Sequence, residues 1–162
     1  MAVVAVRQGL TSDAEAIAGC LSAAFEPFRS KYTPGAFADT VPDAEGIRQR
    51  MVRMTIYVAV ADDAEIAGTV ALAVDGDEGH LRGMAVQPFW QGHGIAEMLL
   101  RTAEEHLTAA GCRRITLDTT GPLRRAIRFY EKNGFVPSSR VEDFFGMPLH
   151  QYVKELRVSE RS

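Results

Sequence analysis

The chain has 162 residues, of which 46% are hydrophobic and 24% charged, a composition typical of one globular domain with its own core. Its 18 basic and 21 acidic side chains leave a net charge of −3, which argues against a nucleic-acid partner because such proteins usually carry a basic excess. No apolar stretch approaches the length of a membrane span, so we expect a cytoplasmic protein without a membrane partner.

The first half of the chain predicts a strand, two helices and three further strands. Residues 1–9 indicate the strand, and apolar positions at helical spacing in residues 11–25 indicate an amphipathic helix. Prolines and a glycine among aromatic residues predict an irregular segment over residues 26–42. The remaining predicted elements are a short helix over 43–54 and strands over 55–61, 65–74 and 80–86, with turns at Asp62-Asp63 and residues 75–79.

The second half alternates helices with strands. A helix over 95–110 ends at Gly111, and a helix over 122–134 is capped by Asn133-Gly134. Strands are predicted over 113–119, 135–139 and 149–156. The order predicts a single α/β domain over residues 1–158, in which helices cover a mixed sheet, and a flexible tail over 159–162.

The two cysteines indicate no metal or redox chemistry. Cys20 and Cys112 lie far apart and form no CxxC pair, so neither a zinc site nor a redox dithiol is expected. Each is interpreted as a small buried side chain, and we expect no metal cofactor.

Two glycines stand where the helix over 95–110 begins, in the stretch QGHGIA. The first turn of a helix leaves backbone N–H groups without partners and carries a partial positive charge. Glycines let the chain turn sharply there and let an anion approach the backbone without meeting a Cβ atom. The turn therefore suits a phosphate or pyrophosphate, although a tight strand-to-helix corner would show the same two glycines. Glu97 and the lack of a Gly-Lys-Ser/Thr tripeptide exclude the dinucleotide fingerprint and the P-loop.

Two motifs here resemble the GNAT superfamily of acyl-CoA-dependent N-acyltransferases. The first is a strand ending in Met84-Ala85-Val86-Gln87-Pro88 that is followed by Gln91-Gly92-His93-Gly94-Ile95-Ala96. The second is AIRFYEKNGF, from Ala126 to Phe135, and one strand separates the two motifs. The resemblance implies a twisted, mostly antiparallel mixed sheet of about seven strands, flanked by about four helices.

The resemblance also implies a binding mode for acetyl-CoA as co-substrate. The backbone N–H groups of the glycine turn would bind the pyrophosphate, and the strand before it would pair with the pantetheine arm. Many members of the family carry an asparagine three residues before the alanine of the second motif, where this chain has Leu123, so Asp118, Thr119 or Thr120 would have to supply that hydrogen bond. The residues implied in cofactor binding are Met84, Ala85, Val86, Gln91, Gly92, His93, Gly94, Ile95, Ala96, Leu123, Ala126 and Phe129.

The implied reaction is direct transfer of an acetyl group to a primary amine. By the resemblance, Tyr130 would donate a proton to the leaving thiolate, although a structural tyrosine on the apolar stripe would look the same. A lysine-like amine with a pKa of about 10.4 is protonated at neutral pH, so a base or a water relay must remove its proton. The candidate bases are His80, Glu78 and Asp118.

The acceptor would bind to two aromatic segments, residues 25–40 and 138–148. Their scattered acids would suit a small cationic amine, and their aromatic residues would equally suit a core or a dimer seam. The predicted partners are thus a small-molecule or peptide amine and, in one alternative, a second copy in a homodimer. The main alternative function is a non-catalytic acyl-CoA-binding sensor of the same fold, since Leu123 and the undetermined base leave turnover open.

Overall fold

A computed structural model describes residues 4–62 and 64–156. Within these ranges, seven strands form one sheet in the order β1-β2-β3-β4-β5-β7-β6, in which only the β4–β5 pair is parallel. The strands are β1 (Ala5–Gln8), β2 (Thr55–Val60), β3 (Ile66–Asp75), β4 (Glu78–Val86), β5 (Arg114–Thr120), β6 (Val136–Phe144) and β7 (Met147–Glu155). The helices are α1 (Ala14–Phe25), α2 (Pro34–Thr40), α3 (Ala44–Arg53), α4 (Ile95–Ala109) and α5 (Arg124–Lys132).

These elements confirm the predicted α/β class and the mostly antiparallel sheet of seven strands. The turn expected over residues 75–79 joins β3 to β4 through Gly76, whose φ is +62°. Three other expectations fall partly or wholly outside the described residues. They are the first three residues of the N-terminal strand, Asp63 in the next turn, and the tail over 159–162.

The segment over residues 26–42 is more regular than expected. It contains a 3-10 turn over Glu26–Lys31 and the helix α2. The Thr33 side chain caps α2 by accepting a hydrogen bond from the Ala36 N–H at 3.3 Å, and Pro34 occupies the first helical position. Proline is well tolerated there because its missing N–H would have had no partner within the helix.

Two cores cover the two faces of the sheet. On one face, α4 packs Ile95, Leu99 and Leu107 against the central strands. On the other face, α1 and α3 bury Ile17, Leu21 and Ile47 against the same strands. Because helices cover both faces, a ligand can reach the centre of the sheet only where neighbouring strands separate.

Candidate active site

The strands β4 and β5 separate in the middle of the sheet. Their parallel pairing runs from Glu78–Arg114 to Leu81–Leu117 and then ends. Among the residues that the structure describes, none therefore pairs as a strand with residues 82–86 of β4 on that side. A cavity of about 870 Å³ opens at the separation and extends from the start of α4 to the aromatic residues that follow α1.

The glycine turn lies at one end of this cavity. Gly92 and Gly94 have φ values of +82° and +77°, a conformation that side chains with a Cβ rarely adopt. Gly94 caps α4 without a side-chain hydrogen bond, so the N–H groups of the first helical turn remain available. A Cβ on Gly92 would meet no atom within 4 Å, and the backbone is therefore open to a bulky anion.

Two polar side chains border the turn. The Gln91 amide nitrogen donates to the Val86 carbonyl at 3.3 Å, and Arg125 from α5 donates to the Gln91 side-chain oxygen at 3.1 Å. Arg125 also lines the cavity. In the sequence, its place at the start of a predicted helix favoured a solvated face over a contact with a cofactor phosphate, and the fold brings it beside Gln91.

The His93 side chain lies away from the cavity. Its Nδ1 atom is 3.1 Å from the carbonyl oxygens of both Trp90 and Gln91, and its ring packs edge-on against Trp90. The cavity lining includes its neighbours Gln91, Gly92, Gly94, Ile95 and Ala96. A contribution of His93 to phosphate binding would thus come from its backbone.

A β-bulge reshapes β4 beside the cavity. Thr69 of β3 faces Ala85 and Ala71 faces Arg82, so one residue of β3 lies opposite two of β4, Gly83 and Met84. Gly83 adopts a φ of +62° there. A bulge of this kind turns backbone groups out of the regular ladder and toward the opening between the strands.

Tyr130 lines the cavity from α5 and is 8% exposed. Its ring packs between Phe129 and Phe135, with centroids 5.7 and 5.8 Å away. Burial raises the pKa of its hydroxyl above the ordinary value. The phenol therefore keeps its proton at neutral pH and can act as a hydrogen-bond donor inside the cavity.

His80 and Asp118 face each other across the separating strands. The His80 Nε2 atom lies 3.8 Å from the Asp118 carboxylate, and its Nδ1 atom lies 2.8 Å from the Thr116 hydroxyl. Burial lowers the pKa of His80, whereas the Asp118 charge opposes that effect. Burial also raises the pKa of Asp118. The imidazole is therefore neutral at physiological pH, the state that accepts a proton.

Glu78, the third candidate base, lies elsewhere on β4. It stands at the first residue of the strand and accepts a hydrogen bond from Arg114 Nε at 2.8 Å. It lines a smaller polar pocket, to which His80 and Asp118 also belong, and it is not part of the lining of the main cavity. Of the three predicted bases, the structure therefore brings His80 and Asp118 to the main cavity.

Two buried polar atoms near the cavity have no partner among the described residues. They are the indole Nε1 of Trp90 and the hydroxyl of Thr119, and both residues line the cavity. An unpaired buried polar atom costs free energy, of the order of 1–3 kcal/mol, unless a ligand supplies its partner. Leu123, Ala126 and Phe129 line the same wall with apolar surface. The wall thus fits an extended ligand that combines apolar stretches with polar groups, as a pantetheine arm does.

The other end of the cavity is built by α1, α2, α3 and the aromatic residues. Phe25, Phe28, Tyr32 and Phe144 line it, and Tyr32 shares a hydrogen bond of 2.6 Å with Thr120. Of the acids on the two aromatic segments, Asp39 alone belongs to this lining. The sequence analysis missed two arginines, Arg50 and Arg82, which also line this end. Neither follows a recognisable motif, and the packing of α3 and α2 on β4 places them there.

The fold and the cavity define an α/β protein with a cleft for an extended, phosphate-bearing ligand. Residues 14–135 match the Acetyltransferase (GNAT) family. A curated relative, the aminoglycoside N(6')-acetyltransferase type 1 of Stenotrophomonas maltophilia, is 32% identical over 119 residues, which cover 68% of this chain and 72% of the relative. The chain therefore belongs to the GNAT family and is an N-acetyltransferase that uses acetyl-CoA.

Solved structures share this fold. A GNAT-family acetyltransferase from Staphylococcus aureus Mu50 superposes with a TM-score of 0.79 at 21% identity, covering 96% of this chain and 100% of the other. The PaiA N-acetyltransferase from Thermoplasma acidophilum, in complex with coenzyme A, gives a TM-score of 0.78 at 18% identity, with 95% and 99% covered. At these identities the likeness concerns the fold alone.

Two further observations concern the described residues as a whole. Within 4–62 and 64–156, His, Cys, Asp and Glu side chains form no group of three or more that could hold a metal ion. In the same ranges, no helix has both the length and the apolar character needed to cross a bilayer.

Proposed function

We propose that this chain transfers the acetyl group of acetyl-CoA directly to a primary amine, with Tyr130 as the general acid. The observation that carries the proposal is the single cavity joining three features. These are the open glycine turn at the head of α4, the unpaired edge of β4, and the Tyr130 side chain.

The turn from Gln91 to Ala96 binds the pyrophosphate through backbone N–H groups, and Arg125 adds a positive charge beside it. The unpaired backbone of Met84, Ala85 and Val86 pairs with the pantetheine amides, in the manner of an added strand. The Thr119 hydroxyl and the Trp90 indole supply further hydrogen bonds to the cofactor, in place of the asparagine that Leu123 replaces.

His80, with Asp118 beside it, takes the proton of the acceptor ammonium. The neutral amine then attacks the thioester carbon, so that a C–N bond forms and the C–S bond breaks. A backbone N–H of the β4 bulge stabilises the negative charge that develops on the carbonyl oxygen. The Tyr130 hydroxyl donates its proton to the leaving sulfur, and solvent restores that proton afterwards.

We further propose that residues 1–158 act as one domain in the cytoplasm, without a nucleic-acid or membrane partner and with a homodimer as one possible assembly. Cys20 and Cys112 are both buried and unpaired, which supports a reducing compartment.

The test is release of free thiol from acetyl-CoA in the presence of a panel of primary amines, for the wild type and Tyr130→Phe. We expect Tyr130→Phe to lower kcat by a factor of about 10² to 10⁴, the range for general acid catalysis, with an unchanged Kd for acetyl-CoA. Tyr57→Phe is the matched control, because the Tyr57 hydroxyl binds His106 and lies outside the cavity.

The same assay separates the transferase from the acyl-CoA sensor. A wild type that binds acetyl-CoA but releases no thiol with any amine would favour the sensor. A Tyr130→Phe variant with the kcat of the wild type would remove Tyr130 from the mechanism.

A further inference from the structure

Arg50 places a guanidinium group over the bulge of β4. The residue belongs to the last turn of α3 and lines the main cavity. A Cβ on Gly83 would lie 3.0 Å from the Arg50 Nη1 atom, so the glycine leaves the space that the guanidinium occupies. The Arg50 guanidinium therefore lies over the β4 bulge, at the wall of the main cavity.

The guanidinium of Arg50 has no ion-pair partner of its own. In the part of the chain that the structure describes, Asp39 attracts it from a distance, but no hydrogen bond or ion pair joins another side chain to Arg50. Its neighbour Arg82 is paired with the Asp39 carboxylate and also donates to the Asp39 carbonyl at 3.4 Å. Burial, followed by the charge of Arg82, lowers the pKa of Arg50 to about 10. Since charged groups are costly to bury unpaired, the site favours a bound anion.

The carboxylates at this end of the cavity are already engaged by neighbouring side chains. Asp39 pairs with Arg82, and Asp118 lies 3.8 Å from the His80 imidazole. Arg125 lies at the opposite end, where it contacts Gln91 of the glycine turn. A negatively charged group on the acceptor can therefore pair with the Arg50 guanidinium.

We propose that the acceptor is a primary amine that also carries a carboxylate, and that Arg50 binds the carboxylate while the amine faces His80. A guanidinium presents paired donors that match the two oxygens of a carboxylate. Gly83 lies three positions after His80, about 10 Å along the strand, so the guanidinium over Gly83 and the His80 imidazole border the same stretch of β4 in the main cavity. The inference rests on the proposed transferase activity and names its acceptor.

The proposal also predicts discrimination. A polycationic amine would bring a second ammonium toward Arg50 and Arg82, and this repulsion disfavours it relative to an amine with one carboxylate. The acceptor then differs from the aminoglycoside named for the curated relative.

The experiment compares matched acceptors that differ only in charge. The pairs are γ-aminobutyrate with its amide and glycine with glycinamide, and an aliphatic diamine serves as the cationic analogue. We measure kcat and KM by thiol release, together with calorimetric binding of each amine to the protein saturated with coenzyme A. We expect a carboxylate to be preferred over its amide by about tenfold to hundredfold in kcat/KM, through KM.

The variants assign that preference to one side chain. Arg50→Gln should abolish it and leave the Kd for acetyl-CoA unchanged, Arg50→Lys should restore part of it, and Arg50→Glu should favour the diamine. Arg48→Gln is the control, because Arg48 is exposed on the same helix and pairs with Glu45. Thermal unfolding of each variant establishes that it is folded.

Three results would overturn the proposal and leave the transferase standing. The first is turnover and binding of amides or diamines equal to those of the carboxylates. The second is a preference that survives in folded Arg50→Gln. The third is a loss of acetyl-CoA affinity in that variant, which would assign Arg50 to the cofactor. Absence of turnover with every amine would count against the proposed function, and the binding comparison would still decide the carboxylate assignment.

Discussion

In the proposed mechanism, His80 is the residue that sets the pH dependence of the reaction. It accepts a proton only when its imidazole is neutral, so kcat/KM should rise as pH rises through its pKa. Burial lowers this pKa, and the acidic limb of the profile should therefore lie below the ordinary histidine value of about 6.5.

Asp118, which lies beside His80, allows a test of the direction in which the acidic limb moves. The Asp118 charge stabilises the imidazolium and raises the pKa of His80, so Asp118→Asn should move the acidic limb to still lower pH. The measurement is kcat/KM against pH for both proteins. His106→Gln should leave the limb in place, because His106 binds Tyr57 outside the cavity. A shift to higher pH in Asp118→Asn would contradict the role of His80.

Some site residues followed from the sequence and others did not. Gly94 and Tyr130 lie within motifs whose spacing is local, and the structure places both in the cavity. From the sequence, Glu78 was as good a candidate base as His80. The register of β4 with β5 sets it opposite Arg114, which donates a hydrogen bond to its carboxylate. The position of Arg50 in the cavity depends on how α3 packs against β4. Local sequence patterns do not predict such a long-range contact.

At the scale of elements, two glycines of the sheet let α4 approach it closely. A Cβ on Gly68 would lie 2.8 Å from Ile95 and 3.1 Å from the Ala85 carbonyl oxygen. A Cβ on Gly79 would lie 2.7 Å from Leu107. Because Ile95 begins α4, the fit at Gly68 also sets the position of the glycine turn relative to β4.

Gly68→Ala should therefore destabilise the fold by about 1–3 kcal/mol through overpacking and weaken acetyl-CoA binding as the start of α4 shifts. Gly19→Ala is the matched control of opposite sign. Gly19 is exposed within α1, and a Cβ there meets nothing within 4 Å, so alanine should stabilise the helix by about 0.5–1 kcal/mol. Urea unfolding measures both changes, and an unchanged stability in Gly68→Ala would contradict the close approach of α4.

The element that the sequence analysis missed was α2. Proline and glycine in succession usually break a helix, which led to the interpretation of an irregular segment. The Thr33 cap and Pro34 at the first position are equally a helix start signal. The burial of Ala36 and Phe37, in the core that also contains residues of α1 and α3, decides between the two interpretations, and burial depends on the whole fold.

At the scale of the whole molecule, the order of elements was sufficient to predict a mixed sheet covered by helices. The separation of β4 from β5 was not predictable from local patterns, because it depends on where a parallel pairing ends. That separation produces the cavity, and the cavity brings α3, α4 and α5 around one site. The central claim is that this site holds acetyl-CoA with its pyrophosphate on the glycine turn.

Calorimetric titration with acetyl-CoA tests that claim most directly, on the wild type, Gly94→Glu and Gly111→Glu. Gly94 and Gly111 lie at opposite ends of α4 and both have positive φ values, so the two variants carry similar backbone strain. A Cβ on Gly94 would lie 4.0 Å from the Glu97 carboxylate, an ordinary contact, and a Cβ on Gly111 would meet nothing within 4 Å. We predict that the wild type binds acetyl-CoA with micromolar affinity. Gly94→Glu should abolish this binding because it places a carboxylate in the pyrophosphate site, and Gly111→Glu should retain it. A folded wild type that does not bind, or Gly94→Glu binding as tightly as the wild type, would contradict the account.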